Sequence, residues 1–102
     1  FAVVVVGMGE DGHIAGLFPG HAMLREKAEA FLSFYDSPKP PPERMTASPA
    51  LLLNARLGIL LALGDAKREA WNNFRSEEVS VQDCPARMLL KLPQTLVVTD
   101  LD

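Results

Sequence analysis

The chain has 102 residues, a formal charge of −3 and an apolar content of 48%, which allows at most one small domain with a globular core. No global basic field invites nucleic acid, so no nucleic-acid partner is expected and an anionic ligand needs local cations. Cys84 is the single cysteine, which excludes an internal disulfide and fits a reducing cytoplasm; no apolar run nears the roughly 20 residues of a membrane helix, and no basic leader precedes the first strand, so no membrane partner is expected.

Phe1 to Val6 is an apolar run with four valines, the pattern of a strand buried on both faces of a parallel sheet. Gly7-Met8-Gly9-Glu10-Asp11-Gly12-His13 follows at once. Ile14 to Phe18 allows about one helical turn, ended by Pro19-Gly20. His21 to Ala30 reads as a helix, and Phe31 to Tyr35 as a second strand. Ser37 to Pro42, with Pro38, Pro40, Pro41 and Pro42, is a stiff extended loop. Ser48-Pro49 offers an N-cap and a first-turn proline for a helix over Ala50 to Arg56. Leu57 to Leu63 is a third, wholly apolar strand. Gly64-Asp65 marks a tight turn, and Lys67 falls in the first turn of a helix whose Ala66, Ala70, Trp71 and Phe74 face the sheet. Glu77 to Asp83 is polar loop, Pro85 to Leu92 a short helix, and Thr95 to Thr99 a fourth strand. Strands alternating with helices predict an α/β fold with a mostly parallel sheet in a single domain over 1–102. A chain that opens inside a core strand is expected to be truncated.

The stretch from Gly7 to His13 admits three readings. Gly7-x-Gly9-x-x-Gly12 after a strand matches the dinucleotide fingerprint, and Asp36 follows at about the distance of the ribose-binding acid. Against it, Glu10 and Asp11 would repel a pyrophosphate, and Pro19 cuts short the helix that should face the phosphates. A plain glycine turn with solvated carboxylates is the second reading. In the third, the end of a parallel strand is where α/β sheets bind ligands, and the turn is a reactive site.

The third reading is carried by a resemblance. Gly7-Met8-Gly9-Glu10-Asp11-Gly12-His13-Ile14-Ala15-Gly16-Leu17-Phe18-Pro19-Gly20 resembles the signature of the 6-phosphogluconolactonases, in the glucosamine-6-phosphate isomerase/deaminase superfamily. The proline loop with Arg44 and Thr46, the segment Pro49 to Arg56, and the strand, glycine turn and lysine from Leu60 to Lys67 resemble the family in the same order. The deaminases typically read Asp-Gly-His-Ile-Ala-Phe-Asn-Glu-Pro; here Phe18 stands where their glutamate would be, and Leu17-Phe18-Pro19-Gly20 is the lactonase form. Gly16 replaces a serine common at its position.

The resemblance implies a three-layer α/β/α fold, Rossmann-like and incomplete at its N-terminal side, because the family domain is roughly twice this length or more. It implies hydrolysis of 6-phospho-D-glucono-1,5-lactone, a small-molecule sugar-phosphate lactone, without a cofactor or metal. His13 would be the proton-transfer residue, with Asp11 or Glu10 orienting it. Gly7, Gly9 and Gly12 would shape the turn and offer backbone N–H groups to an oxyanion. Arg44 and Lys67 would hold the phosphate, although each also fits a solvated surface residue. Lys39 is a weaker phosphate candidate. His21 reads as exposed and inert, Cys84 as a passive thiol, and Trp71 as packing. The missing half would supply a further phosphate loop, so the chain alone is expected to be poorly active or inactive and to need that half, or a self-association partner. Three alternatives stay open: a deaminase-type sugar-phosphate enzyme, a dinucleotide-binding module and an inactive fragment. Residues 96–102, ending Asp100-Leu101-Asp102, either close the domain or begin a following segment, since a strand with Asp-x-Asp also resembles the start of haloacid-dehalogenase-type phosphatases.

Overall fold

A computed structural model describes residues 2–102; Phe1, the first residue of the predicted opening strand, lies outside them. Strands β1 (Val3–Gly7), β4 (Leu57–Ala62) and β5 (Gln94–Thr99) form one sheet in the order β1-β4-β5, parallel throughout. Apolar segments suit a packed pleated surface, with β-branched residues prominent in β1 and β5 and leucine in β4, which is why these three runs extend. β2 (Phe31–Phe34) and β3 (Arg44–Ala47) form a separate antiparallel pair. The predicted second strand therefore lies outside the parallel sheet, and its partner β3 was not foreseen. The stiff proline loop joins the two strands and returns the chain on itself.

The helical layer is modest. Helix α1 (Pro49–Leu52) is capped by Ser48, whose Oγ accepts the Leu51 N–H at 3.1 Å; it ends well before Arg56, the predicted limit. Helix α2 (Arg68–Arg75) follows a 3-10 turn over Asp65–Lys67 and buries Ala70, Trp71 and Phe74, while Ala66 stays exposed. Trp71 and Phe74 stack with centroids 5.7 Å apart. Pro85–Lys91 forms a 3-10 helix behind the sheet. Among the described residues no helix is long and apolar enough to cross a membrane.

Two predicted helical stretches fold otherwise. From His21 to Ala30 only Ala22–Arg25 turns, as a 3-10 segment capped by the His21 ring. The Glu26 carboxylate captures the N–H groups of Lys27 and Ala28 at 3.1 Å each, a local bond that competes with helix. Ser48 then ties Ala30 into the extended path toward β2, through bonds of 2.9 Å and 3.3 Å. Between Ile14 and Phe18 the chain makes a tight turn instead of a helical one: Ile14 bridges both Met8 and Leu17, and Ala15 takes a positive φ of 50°.

The core lies on one side of the sheet. Val4 and Leu60 point into it, with Met8, Ile14, Leu17, Leu52, Ala70, Phe74, Met88 and Leu89. The register puts Val3 and Val5 on the other face, in line with Leu57 and Ile59 and with Leu96 and Val98. That face is open: Val3, Val5, Leu96 and Val98 are 49%, 59%, 56% and 49% exposed. The expectation that β1 is buried on both faces is therefore corrected for this chain, because only one layer covers its sheet.

Candidate active site

β1 delivers the chain to the carboxyl edge of the sheet, and the Met8 N–H still bonds the Leu61 carbonyl at 3.0 Å. The backbone then closes on itself: the Gly9 N–H bonds the His13 carbonyl at 2.8 Å and the Gly12 N–H bonds the Gly9 carbonyl at 3.0 Å. Both N–H groups are thus used inside the turn, so Gly9 and Gly12 do not offer them to an oxyanion as expected. Their lack of side chains matters more. A Cβ on Gly9 would stand 2.1 Å from Nδ1 and Cε1 of His13, so the imidazole occupies the space a side chain would need. Gly12 has φ +87°, and a Cβ there would come within 2.9 Å of the Cys84 sulfur. Gly7 faces open space.

Into this frame the turn sets an imidazole–carboxylate pair. Asp11 Oδ1 lies 2.5 Å from His13 Nδ1 and accepts the His13 N–H at 3.1 Å. One oxygen therefore fixes both the backbone and the ring of His13. The ring leans on Phe18 with centroids 4.6 Å apart, and Phe18 is fully buried. Nε2 has no protein partner among the described residues, so the ring's second nitrogen is left for a ligand. Partial burial of Asp11 opposes its charge, but the hydrogen bonds and charge of His13, with the Lys39 ammonium, outweigh it and hold the carboxyl below the usual carboxylate range. Of the two carboxylates singled out in the sequence, Asp11 reaches His13; Glu10 is exposed and makes no hydrogen bond or ion pair among the described residues.

The two cation candidates fare differently. Lys67 sits in the turn after β4, beside the glycine turn at the same edge of the sheet, and its ammonium has no protein partner among the described residues. Arg44 is turned onto its own loop. Its Nε donates to the Pro41 carbonyl at 3.1 Å, and Nη2 to those of Pro40 at 2.9 Å and Lys39 at 3.4 Å. Its guanidinium also lies 5.7 Å from the Phe18 ring centroid. Lys39, the weaker candidate, reaches Asp11 Oδ2 at 3.8 Å.

Several residues named from the sequence make supporting contacts that it did not indicate. Buried Thr46 accepts the Gly16 N–H at 3.0 Å and donates to the Ala47 carbonyl at 2.8 Å, tying the turn to β3. Gly16 suits this contact, since a Cβ would come within 2.9 Å of Thr46; a glycine in place of the usual serine was the available signal. His21 is neither exposed nor inert. Its side chain is 11% exposed, Nδ1 accepts the Met23 N–H at 3.0 Å, and Nε2 lies 2.7 Å from Asp36. Asp36, the ribose-binding acid of the dinucleotide reading, is thereby engaged with an imidazole, whose hydrogen bond holds its carboxyl below the usual range. Cys84 is buried beneath Gly12, and burial pushes its thiol up. At the C-terminal end, Asp100 accepts the Gly64 N–H at 2.9 Å and Asp102 pairs with Arg68 at 3.2 Å, while residues 96–99 lie within β5.

A depression of about 480 Å³, lined by β1, Ala15, Gly16, Phe31, Met45, Thr46, Ala47 and Leu52, opens between the sheet and the β2–β3 pair. It includes neither Asp11 nor His13. Its apolar lining suits packing, whereas the polar groups converge at the turn.

The parallel sheet and the hydrogen-bonded pair at its carboxyl edge define an α/β protein whose imidazole–carboxylate pair sits where such sheets take small ligands. More narrowly, the chain belongs to the glucosamine-6-phosphate isomerase/6-phosphogluconolactonase family, whose sequence pattern matches residues 1–98. It is 39% identical over 101 residues to the 6-phosphogluconolactonase of Borreliella burgdorferi, covering 99% of this chain and 43% of the relative. It is 36% identical over 89 residues to that of Rattus norvegicus, covering 87% and 34%. Among solved structures, a 6-phosphogluconolactonase from Shewanella baltica superposes with TM-score 0.81 at 29% identity, over 97% of this chain and 44% of the other. That from Trypanosoma brucei superposes with TM-score 0.73 at 31% identity, over 95% and 39%. A monomeric glucosamine-6-phosphate deaminase shares the fold, with TM-score 0.71 at 20% identity. The chain thus spans less than half the length of these relatives.

Proposed function

We propose that the chain carries the proton-transfer centre of a 6-phosphogluconolactonase, which hydrolyses 6-phospho-D-glucono-1,5-lactone to 6-phospho-D-gluconate in the oxidative pentose phosphate pathway. The observation that carries this is the His13 ring, bound through Nδ1 to Asp11 at 2.5 Å with Nε2 unpartnered. In this reading Nε2 takes a proton from water as its oxygen attacks the lactone carbonyl carbon. The tetrahedral intermediate then collapses, the bond from that carbon to the ring oxygen breaks, and Nε2–H returns the proton to the departing oxygen. Asp11 holds the ring and stabilises its charged form. Lys67 is the cation free to meet the phosphate. The lactonase reading is favoured over the deaminase because Phe18, at the place of the deaminase glutamate, is fully buried against the imidazole and offers no carboxylate. Buried, reduced Cys84 supports a cytoplasmic setting. The open face of the sheet supports a further chain segment or a second copy as its partner.

Lactone hydrolysis above the spontaneous rate at neutral pH tests the reading, measured on a chimera in which this chain replaces the matching 101 residues of the Borreliella burgdorferi relative, because the chain spans 43% of that relative. His13→Ala is expected to lose about 10²–10⁴-fold, the usual share of a general acid–base; a variant equal to its parent overturns the mechanism. Titrating 6-phosphogluconate against the chain by NMR gives a second route. Perturbation of His13 and Lys67 resonances is expected, and a response to NAD instead favours the dinucleotide module.

A further inference from the structure

The loop from Ser37 to Pro42 is held with unusual care for an exposed connection. The Ser37 N–H bonds the Pro42 carbonyl at 3.1 Å, closing the loop at its neck. The Ser37 hydroxyl donates to the Lys39 carbonyl at 2.7 Å and accepts the Lys39 N–H at 3.2 Å. Arg44 crosses back from β3 and donates to three successive carbonyls, those of Lys39, Pro40 and Pro41. The only freely extending side chain in this clamped segment is that of Lys39, and its Nζ stands 3.8 Å from Asp11 Oδ2. The other oxygen of the same carboxylate is the one that binds the ring and the backbone of His13.

We propose that Lys39 is a positioning residue for the Asp11–His13 pair, and that Arg44 serves it by clamping the loop from which it reaches. Lys39 attracts Oδ2 and so turns Oδ1 toward the imidazole. Without it the carboxylate is free to rotate about its own bond, and its two oxygens compete for His13. Four proline rings and the Arg44 clamp reduce the freedom that a lysine on a mobile loop would lose on making this contact. The titratable groups facing Asp11 are His13 from its own turn, Lys39 from the loop and Cys84 from behind Gly12. Lys39 is the one lasting positive charge among them, so its removal is felt as a change in Asp11. This inference rests on the proposed function only for the work the pair performs, because the test below needs no substrate.

The test is side-chain carboxylate NMR of the chain through an acid titration, following Asp11, with Asp36 as an internal control. A half-exposed pair at this distance is expected to be worth about 0.2–0.7 pH unit. Lys39→Gln should therefore raise the Asp11 midpoint by about that amount, and Lys39→Arg should leave it near the parent value. Arg44→Gln, which touches neither Asp11 nor His13, should raise it in the same direction by releasing the loop. The Asp36 midpoint, set by His21, should not move in any of them. Raised salt should lift the Asp11 midpoint of the parent by more than that of Lys39→Gln, in which only the His13 charge is left to be screened. An Asp11 midpoint unchanged in Lys39→Gln overturns the proposal, and a shift in Lys39→Gln without one in folded Arg44→Gln overturns the clamp. A chain that passes this titration while its chimera with the Borreliella burgdorferi relative fails to hydrolyse lactone would count against the proposed function alone.

Discussion

At the scale of single residues, the site depends on one atom that is not there. The His13 ring stands where a Gly9 side chain would begin, so Gly9→Ala must displace the imidazole or the turn. The expected result is a loss of activity of about 10²-fold or more in the chimera that restores the rest of the domain, read alongside the ¹⁵N resonances of the His13 ring in the chain itself, which should show the Nδ1–Asp11 bond broken. Acid acts on the same bond from the other side. The Asp11 carboxyl is held below its ordinary range in the folded chain, so folding favours its ionised form. The resulting stabilisation is complete above the unfolded midpoint of about 3.9 and is lost as pH falls through the lower, folded one. Asp11→Asn should therefore narrow the stability gap between neutral pH and pH about 2, measured by urea unfolding at each pH. His13 and Asp11 were legible as a pair because a turn confines two residues that lie two positions apart. Lys39 was not, since its approach depends on how β2 and β3 fold the proline loop over the turn.

At the scale of elements, local signals succeeded where the physics is local. Ser48-Pro49 was read as a helix start, and the Ser48 hydroxyl does accept the Leu51 N–H. The same oxygen also accepts the Ala30 N–H at 3.3 Å, so one buried group both caps α1 and anchors the entry to β2. Ser48→Ala is accordingly expected to cost about 1–2 kcal/mol in chemical denaturation, toward the upper end for a cap. The segment from His21 to Ala30 shows the opposite case. Its charged residues suit a helix face, but Glu26 binds the backbone beside it and Ser48 captures Ala30, and tertiary context overrides propensity. β3 was invisible for a related reason: Arg44-Met45-Thr46-Ala47 has little strand character alone, and it extends because β2 lies opposite.

At the scale of the whole molecule, the sheet is a two-sided object with one covered side. The alternation that buries Val4 and Leu60 leaves Val3, Val5, Leu96 and Val98 in a contiguous apolar field. The apolar runs announced a sheet buried on both faces, and nothing in them indicated that only one cover is present in this chain. An apolar field of this kind drives association. The chain is expected to gain mass with concentration in sedimentation experiments and to bind an apolar dye. Val5→Thr with Val98→Thr should reduce both without loss of the fold, because threonine keeps strand character. A strictly monomeric chain that binds no dye would show the field to be inert.

The sulfur beneath Gly12 lends the molecule a clock. Cys84 is buried and its thiol is pushed up by that burial, so an alkylating reagent at neutral pH meets neither an accessible sulfur nor a thiolate. Gly12 lies directly against that sulfur, so reaction is expected to wait for the glycine turn to lift. The labelling rate therefore counts openings of the very turn that holds His13, as hydrogen exchange counts them for amides. Gly12→Ala, strained at φ +87° and crowded against that sulfur, should make the clock run faster by about tenfold for each 1.4 kcal/mol the turn loses. A ligand that settles on the turn should slow it.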